Sequence, residues 1–238
     1  MMIAAACFFL FALLIHQESA QLLDWNCVKD PPDHNERVPW LAFIMTPSKN
    51  CSGALISKQF VITAANCVVA EKESSVRLNS EVYPVQYTYL TSNDSFTMDI
   101  ALLKLKEPVI YKPYVRPICI LLSDLVLKTG RILKDTRWGL TGSPATKTIT
   151  KFKNAKCYSS FGKRLNEFQI CAGYSNNDQC EEMGSPLGID ANSQNANIYI
   201  LAGIQSYGAL GTCVYSNILR YIGWIVGVVL EVDVFVHH

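Results

Sequence analysis

The sequence predicts an all-β fold, and two observations lead to this prediction. Short apolar or alternating segments recur from Pro39 onward, and turn residues separate them. Tyr, Val, Ile and Thr are frequent in these segments, as the pleated surface of a sheet favours. Because no helical segments alternate with them, the pattern indicates a barrel or a sandwich.

The first three predicted strands follow one another closely. Residues 41–45 form a continuous apolar run, residues 53–56 combine small residues with Leu and Ile, and residues 60–64 are rich in β-branched side chains. Polar residues that favour turns lie between these runs. We therefore expect each run to form a β-strand.

Three further strands and one helix complete the prediction. The strands are residues 82–89, 100–105 and 198–204, where apolar, aromatic and polar residues mix or alternate. Only residues 218–230, near the C-terminus, have a helical pattern. That segment is too short to cross a bilayer, so we expect a short C-terminal helix that faces the core and no membrane association.

Composition limits the class of protein. The chain has 238 residues, a formal net charge of +1 and 50% hydrophobic residues, which suits one large domain or two small ones. Over the whole chain Lys and Arg are balanced by Asp and Glu, so we expect no nucleic-acid partner.

The N-terminus resembles a secretion signal. An apolar run from Ile3 to Ile15 precedes a polar His16 and the small residue Ala20, so we predict a signal peptide over residues 1–20. A buried N-terminal helix is the alternative. Residues 21–38 then form a short N-terminal segment before the folded body, residues 39–238, and the protein is expected to be secreted.

The cysteines indicate disulfides. Nine are present, and removal of Cys7 with the signal peptide leaves an even set of eight, as in secreted disulfide-bonded proteins. Eight cysteines allow 105 pairings, among which sequence spacing does not choose. Zinc is the alternative, but the chain has no CxxC spacing and only four histidines, so we expect no metal and no cofactor.

A series of short motifs follows in a fixed order. They are CSGALI at 51–56, FVITAANC at 60–67, DIALL at 99–103, RPIC at 116–119, WG at 138–139, ICAG at 170–173, GSPL at 184–187, SYG at 206–208 and VY at 214–215. Together they resemble the chymotrypsin/trypsin-like serine protease family, in a style similar to its insect members. The number of matches in order makes chance resemblance very improbable.

The resemblance implies two packed six-stranded antiparallel barrels, with a cleft between them and a change of barrel near residues 122–131. It also implies a disulfide pairing that uses all eight mature cysteines. The four expected bonds are Cys27–Cys119, Cys51–Cys67, Cys157–Cys171 and Cys180–Cys213.

The resemblance also locates the expected catalytic positions. Asp99 matches the aspartate of the family's triad, but Asn66 stands where the family has its histidine base. A carboxamide does not accept a proton near neutral pH, so Asn66 is not expected to act as a general base. We expect Asp99 to be retained as a buried, hydrogen-bonded aspartate.

The loop that carries the family's nucleophile is one residue short. Aligned on Pro186, it places Met183 at the nucleophile position and Glu182 at the preceding aspartate. A thioether does not accept an acyl group. Ser185 aligns with a glycine beyond the nucleophile, so its hydroxyl is expected to point elsewhere. The family's activation motif Ile-Val-Gly-Gly is also absent between Cys27 and Pro39.

Part of the specificity pocket is present by resemblance. Asp178 matches the aspartate that binds Arg or Lys in trypsin-like members, and Ser206 and Gly208 match the pocket wall. Two alternatives follow: a pocket that accepts basic side chains, or a collapsed remnant. Asn93 lies in a plausible glycosylation sequon.

The sequence thus predicts a secreted, monomeric and catalytically inactive serine protease homologue. Its expected partners are extracellular proteins: proteases, their inhibitors or their substrates. This prediction of a partner is an analogy with the family. The alternatives are a degenerate but active endopeptidase that cuts after Arg or Lys, and a decayed gene.

Overall fold

Twelve β-strands in the described part of the chain close into two six-stranded antiparallel barrels. The computed structural model describes residues 22–28, 38–68, 73–91, 98–122, 133–138, 142–174, 179–180, 182–193 and 196–232. The predicted fold class, two antiparallel barrels with a short C-terminal helix, is confirmed. The predicted signal peptide and the glycosylation site Asn93 lie outside the described residues, as does nearly all of the predicted switch between barrels.

The first barrel contains the strands before residue 106. In space they follow the order β1-β2-β3-β6-β5-β4. A short 3-10 turn, Ala65–Cys67, follows β3. The strands are β1 (Leu41–Met45), β2 (Asn50–Leu55), β3 (Phe60–Thr63), β4 (Ser75–Leu78), β5 (Glu81–Leu90) and β6 (Ala101–Leu105).

The second barrel follows the order β10-β11-β12-β9-β8-β7. Helix α1 (Asn154–Phe161) connects β8 to β9, and helix α2 (Ile218–Leu230) follows β12. The strands are β7 (Leu133–Trp138), β8 (Pro144–Lys151), β9 (Gln169–Gly173), β10 (Pro186–Ser193), β11 (Ala196–Ala209) and β12 (Thr212–Asn217).

The predicted elements correspond to observed ones, and α2 has the predicted bounds. The expectation that only the C-terminal end is helical was wrong, because α1 is also a helix. Five strands of the second barrel and β4 were not predicted. β8 shows the reason: six residue pairs join it to β7, but its eight residues include only one buried side chain, Ile149.

One hydrophobic core joins the first barrel to its neighbours. Trp40 stacks on Tyr199 of β11 with ring centroids 5.1 Å apart. Tyr221 and Ile225, four residues apart on one face of α2, are buried in the same core. Among the described residues, no helix is long and apolar enough to cross a membrane.

Four disulfides connect the described cysteines in the pairs that the resemblance implies. They are Cys27–Cys119, Cys51–Cys67, Cys157–Cys171 and Cys180–Cys213. The loop closed by Cys51–Cys67 spans 16 residues. On the chain-entropy estimate, closing a loop of this length stabilises the fold by about 3 kcal/mol.

Candidate functional site

The side chains expected at the base and acid positions meet directly. Asn66 lies in the 3-10 turn after β3, and Asp99 lies just before β6, the strand paired with β3. The backbone N–H of Asn66 donates to Asp99 Oδ1 at 2.8 Å, and its carboxamide Nδ2 donates to Asp99 Oδ2 at 3.1 Å. Asn66 therefore acts as a donor to Asp99.

Asp99 is buried and surrounded by donors. Its side chain is 1% exposed, and Oδ2 also accepts a hydrogen bond from the hydroxyl of Ser206 at 2.5 Å. Burial raises the pKa of Asp99, whereas the hydrogen bonds from Ser206, Asn66 and the Ala65 backbone lower it. The bond from Ser206 joins β11 of the second barrel to Asp99, next to β6 of the first barrel.

Met183 and Gly184 lie against the first barrel. Met183 packs on the hydrophobic core, and its carbonyl accepts a hydrogen bond from the backbone N–H of Ser52 at 3.1 Å. Gly184 has φ +84°, and a Cβ there would lie 2.0 Å from the carbonyl oxygen of Ser52. Only glycine fits this conformation and contact. At the position expected for the nucleophile, the chain thus has the thioether of Met183, packed on the core.

Ser185, the nearby serine, points into the second barrel. Its hydroxyl is fully buried and lies 2.9 Å from both Asp135 Oδ1 and Gln205 Oε1. Asp135 also accepts hydrogen bonds from Tyr174 at 2.5 Å and Tyr215 at 3.1 Å. Ser185 is therefore part of a buried polar cluster around Asp135.

Burial raises the pKa of Asp135, and the hydrogen bonds from Tyr174, Ser185 and Tyr215 oppose this shift, as does the nearby charge of Arg137. Sequence reasoning missed Asp135 as well as Gln205. The only indication in the sequence of β7 is that Asp135 is its single acidic residue and occupies a buried position.

Glu182 links the two barrels. Its carboxylate accepts hydrogen bonds from the hydroxyl of Ser52 on β2 and from the backbone N–H of Trp138 on β7, the latter at 2.9 Å. Burial raises the pKa of Glu182, and these two bonds lower it. The indole of Trp138 donates to the carbonyl of Ala42 at 3.2 Å, so a second contact joins β7 to the first barrel.

The two segments that the resemblance places around the specificity pocket are in contact. A Cβ on Gly208 would lie 2.2 Å from the carbonyl oxygen of Cys180. Next to this contact, Gln179 and Leu210 form an antiparallel bridge. No side chain fits between Gly208 and Cys180. Asp178 lies outside the described residues.

Ser206 and Gly208 therefore have different environments. Ser206 is buried and its hydroxyl donates to Asp99, whereas Gly208 contacts the backbone of Cys180.

In the described part of the chain, no group of three or more His, Cys, Asp or Glu side chains is arranged to hold a metal ion.

The two barrels, the four disulfides and Asp99 at their junction define a trypsin-like serine protease domain. The trypsin family model matches residues 28–225, and the chain belongs to that family.

Two curated insect proteins are similar to the chain. Phenoloxidase-activating factor 3 of Holotrichia diomphalia is 30% identical over 79% of this chain and 68% of its own length. Serine protease ea of Drosophila melanogaster is 30% identical over 80% of this chain and 64% of its own length. The chain thus spans about two thirds of each relative.

A solved structure shares the fold. Neuropsin, a serine protease expressed in the limbic system of mouse brain, aligns with a TM-score of 0.66 over 86% of this chain and 97% of its own chain. At 23% identity this similarity shows the architecture alone.

Proposed function

We propose that the protein is a secreted, catalytically inactive serine protease homologue that acts by binding extracellular proteins. One observation carries the proposal: the carboxamide of Asn66 donates to Asp99 where the family places a histidine base. A carboxamide that donates to the acid has no basic nitrogen to accept the proton of a nucleophile. Acyl transfer therefore lacks its general base.

The nucleophile position supports the same proposal. Met183 packs on the core through a side chain that cannot form an acyl intermediate. Ser185 cannot readily replace it, because its hydroxyl is buried against Asp135 and Gln205. In related enzymes, losing a triad member costs about four to six orders of magnitude in rate.

The contact between Gly208 and Cys180 supports a loss of specificity for basic residues. Binding of an Arg or Lys side chain would require these backbones to separate and the bridge between Gln179 and Leu210 to break. We therefore favour the collapsed remnant over a pocket that accepts basic side chains.

The proposed role outside the cell rests on the disulfides and the relatives. Four disulfides suit an oxidising compartment. One relative is named as a factor that activates phenoloxidase, and another as a serine protease. By analogy, we propose that this chain regulates or decoys extracellular proteases, their inhibitors or their substrates as a monomer.

A serine-directed fluorophosphonate probe tests the loss of catalysis. We expect no covalent labelling of the purified protein and no hydrolysis of peptide amides after Arg or Lys. The matched control is Ser185→Ala, checked for folding by circular dichroism. Labelling that this variant abolishes would overturn the proposal, and hydrolysis after Arg or Lys in addition would establish a degenerate active endopeptidase.

Two measurements test the binding role. Expression with the native N-terminus is expected to give a soluble monomer in the medium, as shown by size-exclusion chromatography; an aggregated, retained product would instead support a decayed gene. The purified protein is then used as bait in the native extracellular fluid. Failure to retain any protease, inhibitor or protease substrate would contradict the proposed role.

A further inference from the structure

Positive charges are concentrated in one part of the second barrel. Residues 136–166 contain seven of the chain's 21 Lys and Arg residues and none of its 20 Asp and Glu residues. The rest of the chain therefore carries 14 cationic and 20 acidic residues. The net charge of the whole chain, +1, therefore gives no sign that cations are concentrated in this segment.

Five of these cations surround α1. Lys151 ends β8, Lys153 precedes the first helical residue, and Lys156 lies in the first turn, while two more follow the helix directly. α1 has eight residues and is therefore about 12 Å long. We call the exposed set the basic surface; it comprises Lys151, Lys153, Lys156, Lys163 and Arg164.

Among the described elements, the two strands packed most closely against α1 add no negative charge. α1 contacts β9 and β12, and neither strand contains an acidic residue. Glu167 is the first acidic residue after α1, and it pairs with Arg220 at 2.8 Å. Asp135, the last acidic residue before this region, is buried inside the second barrel. The field around the basic surface is therefore positive.

The helix itself makes this arrangement unfavourable without a ligand. The N-terminus of α1 has neither an acidic residue in its first turn nor a side-chain cap. Lys153 and Lys156 instead bring positive charge to the positive end of the helix dipole, which is unfavourable. A bound anion would relieve this repulsion and accept from N–H groups at the start of the helix, apart from that of Lys156, which donates to the carbonyl of Lys153 at 2.9 Å.

We propose that the basic surface binds a linear sulfated polysaccharide. Clusters of Lys and Arg attract polyanions such as heparin and nucleic acids. An extracellular protein meets sulfated polysaccharides rather than nucleic acids, and anionic lipids are concentrated in the cytoplasmic leaflet of membranes. The choice of polysaccharide thus rests on the proposed secretion, whereas the surface itself is independent of the loss of catalysis.

Heparin affinity at several salt concentrations tests the proposal. The test variant is Lys153→Gln/Lys156→Gln, and the control is Lys58→Gln/Lys106→Gln, which removes two exposed cations from the first barrel. By analogy with phosphate contacts, the test variant should lose about tenfold in affinity at physiological salt. The slope of log K against log salt should fall by about 2. The control should match the wild type.

A measurement of folding separates binding from stability. Because the substitutions relieve repulsion at the helix N-terminus, Tm of the test variant should stay constant or rise slightly. If Tm falls, Lys151→Gln/Arg164→Gln leaves the first turn intact and should show the same loss of heparin affinity.

Three results would overturn the proposal. They are an equal loss of affinity in the control, no salt-dependent binding of heparin, and tighter binding of double-stranded DNA or phosphatidylserine vesicles than of heparin at the same salt concentration. None of them depends on the fluorophosphonate result, so failure of this proposal is distinct from failure of the proposed inactivity.

Discussion

Replacing Asp135 with alanine removes the acceptor at the centre of the buried cluster in the second barrel. The carboxylate accepts from the hydroxyls of Tyr174, Ser185 and Tyr215. Ser185 lies 2.9 Å from Gln205 Oε1 and can donate to it in the variant. Tyr174 and Tyr215, which are 5% and 0% exposed, would lose the acceptor that Asp135 provides.

The expected cost follows from these two hydroxyls. Removing the acceptor of a buried hydroxyl costs about 1–3 kcal/mol, so two hydroxyls give about 2–6 kcal/mol. Removal of the carboxyl group offsets part of this, because burial disfavours its charged form. We therefore expect Asp135→Ala to lower the free energy of unfolding by about 2–4 kcal/mol at pH 7, measured by urea denaturation and tryptophan fluorescence.

A double-mutant cycle tests the reasoning behind that figure. Tyr174→Phe removes one donor and should cost about 1 kcal/mol alone. In the Asp135→Ala background the Tyr174 hydroxyl has already lost this acceptor, so Tyr174→Phe should cost little or nothing, giving a coupling energy of about 1 kcal/mol. Zero coupling, or a cost of Asp135→Ala below about 1 kcal/mol, would refute the reasoning.

Three other predictions concern Gly184, Asn66 and the pH dependence of the Asp135 cluster. Gly184→Ala should lower stability by more than about 3 kcal/mol, because φ is +84° and a Cβ would lie 2.0 Å from the carbonyl oxygen of Ser52. Gly142→Ala, at φ +75° with nothing within 4 Å, should cost only about 1 kcal/mol. Thermal melts compare the two variants, and equal costs would contradict the predicted clash. Asn66→Ala removes the carboxamide donor to Asp99 and should destabilise the protein by about 1 kcal/mol in urea; an unchanged midpoint would show that this bond contributes nothing. Burial raises the folded-state pKa of Asp135 above its ordinary value of 3.8, so the stability that this group contributes is fully present below pH 3.8 and is lost as pH rises through the folded-state pKa. Asp135→Asn should therefore destabilise the protein more at pH 4 than at pH 7.5. Urea midpoints of the wild type and the variant at both pH values check the sign.

The architecture was largely predictable because its signals are local or ordered along the chain. Apolar runs marked the strands whose residues are buried on both sides, as in β3, where all four residues are buried. β8 was not predictable in this way, because pairing with β7 holds a strand whose side chains are mostly polar.

The sites were less predictable because their geometry comes from residues far apart in the chain. The sequence pointed to Asn66, Asp99 and Met183, but the donation from Asn66 to Asp99 across 33 residues needed the paired strands β3 and β6. The partners of Asp135 come from strands and loops up to 80 residues away. The contact of Gly208, near the end of β11, with Cys180 depends on how the segment that carries Cys180 lies against that strand.

The packing of α2 has a consequence for the order of events during synthesis. The first barrel's last strand ends at Leu105, yet its core includes Tyr221 and Ile225 of α2. At about 5–20 residues per second, the 125 residues from 106 to 230 take roughly 6–25 seconds to emerge. During that interval the first barrel exists without its final apolar cover. Chaperone binding to the nascent chain is therefore expected to end only when α2 has been released.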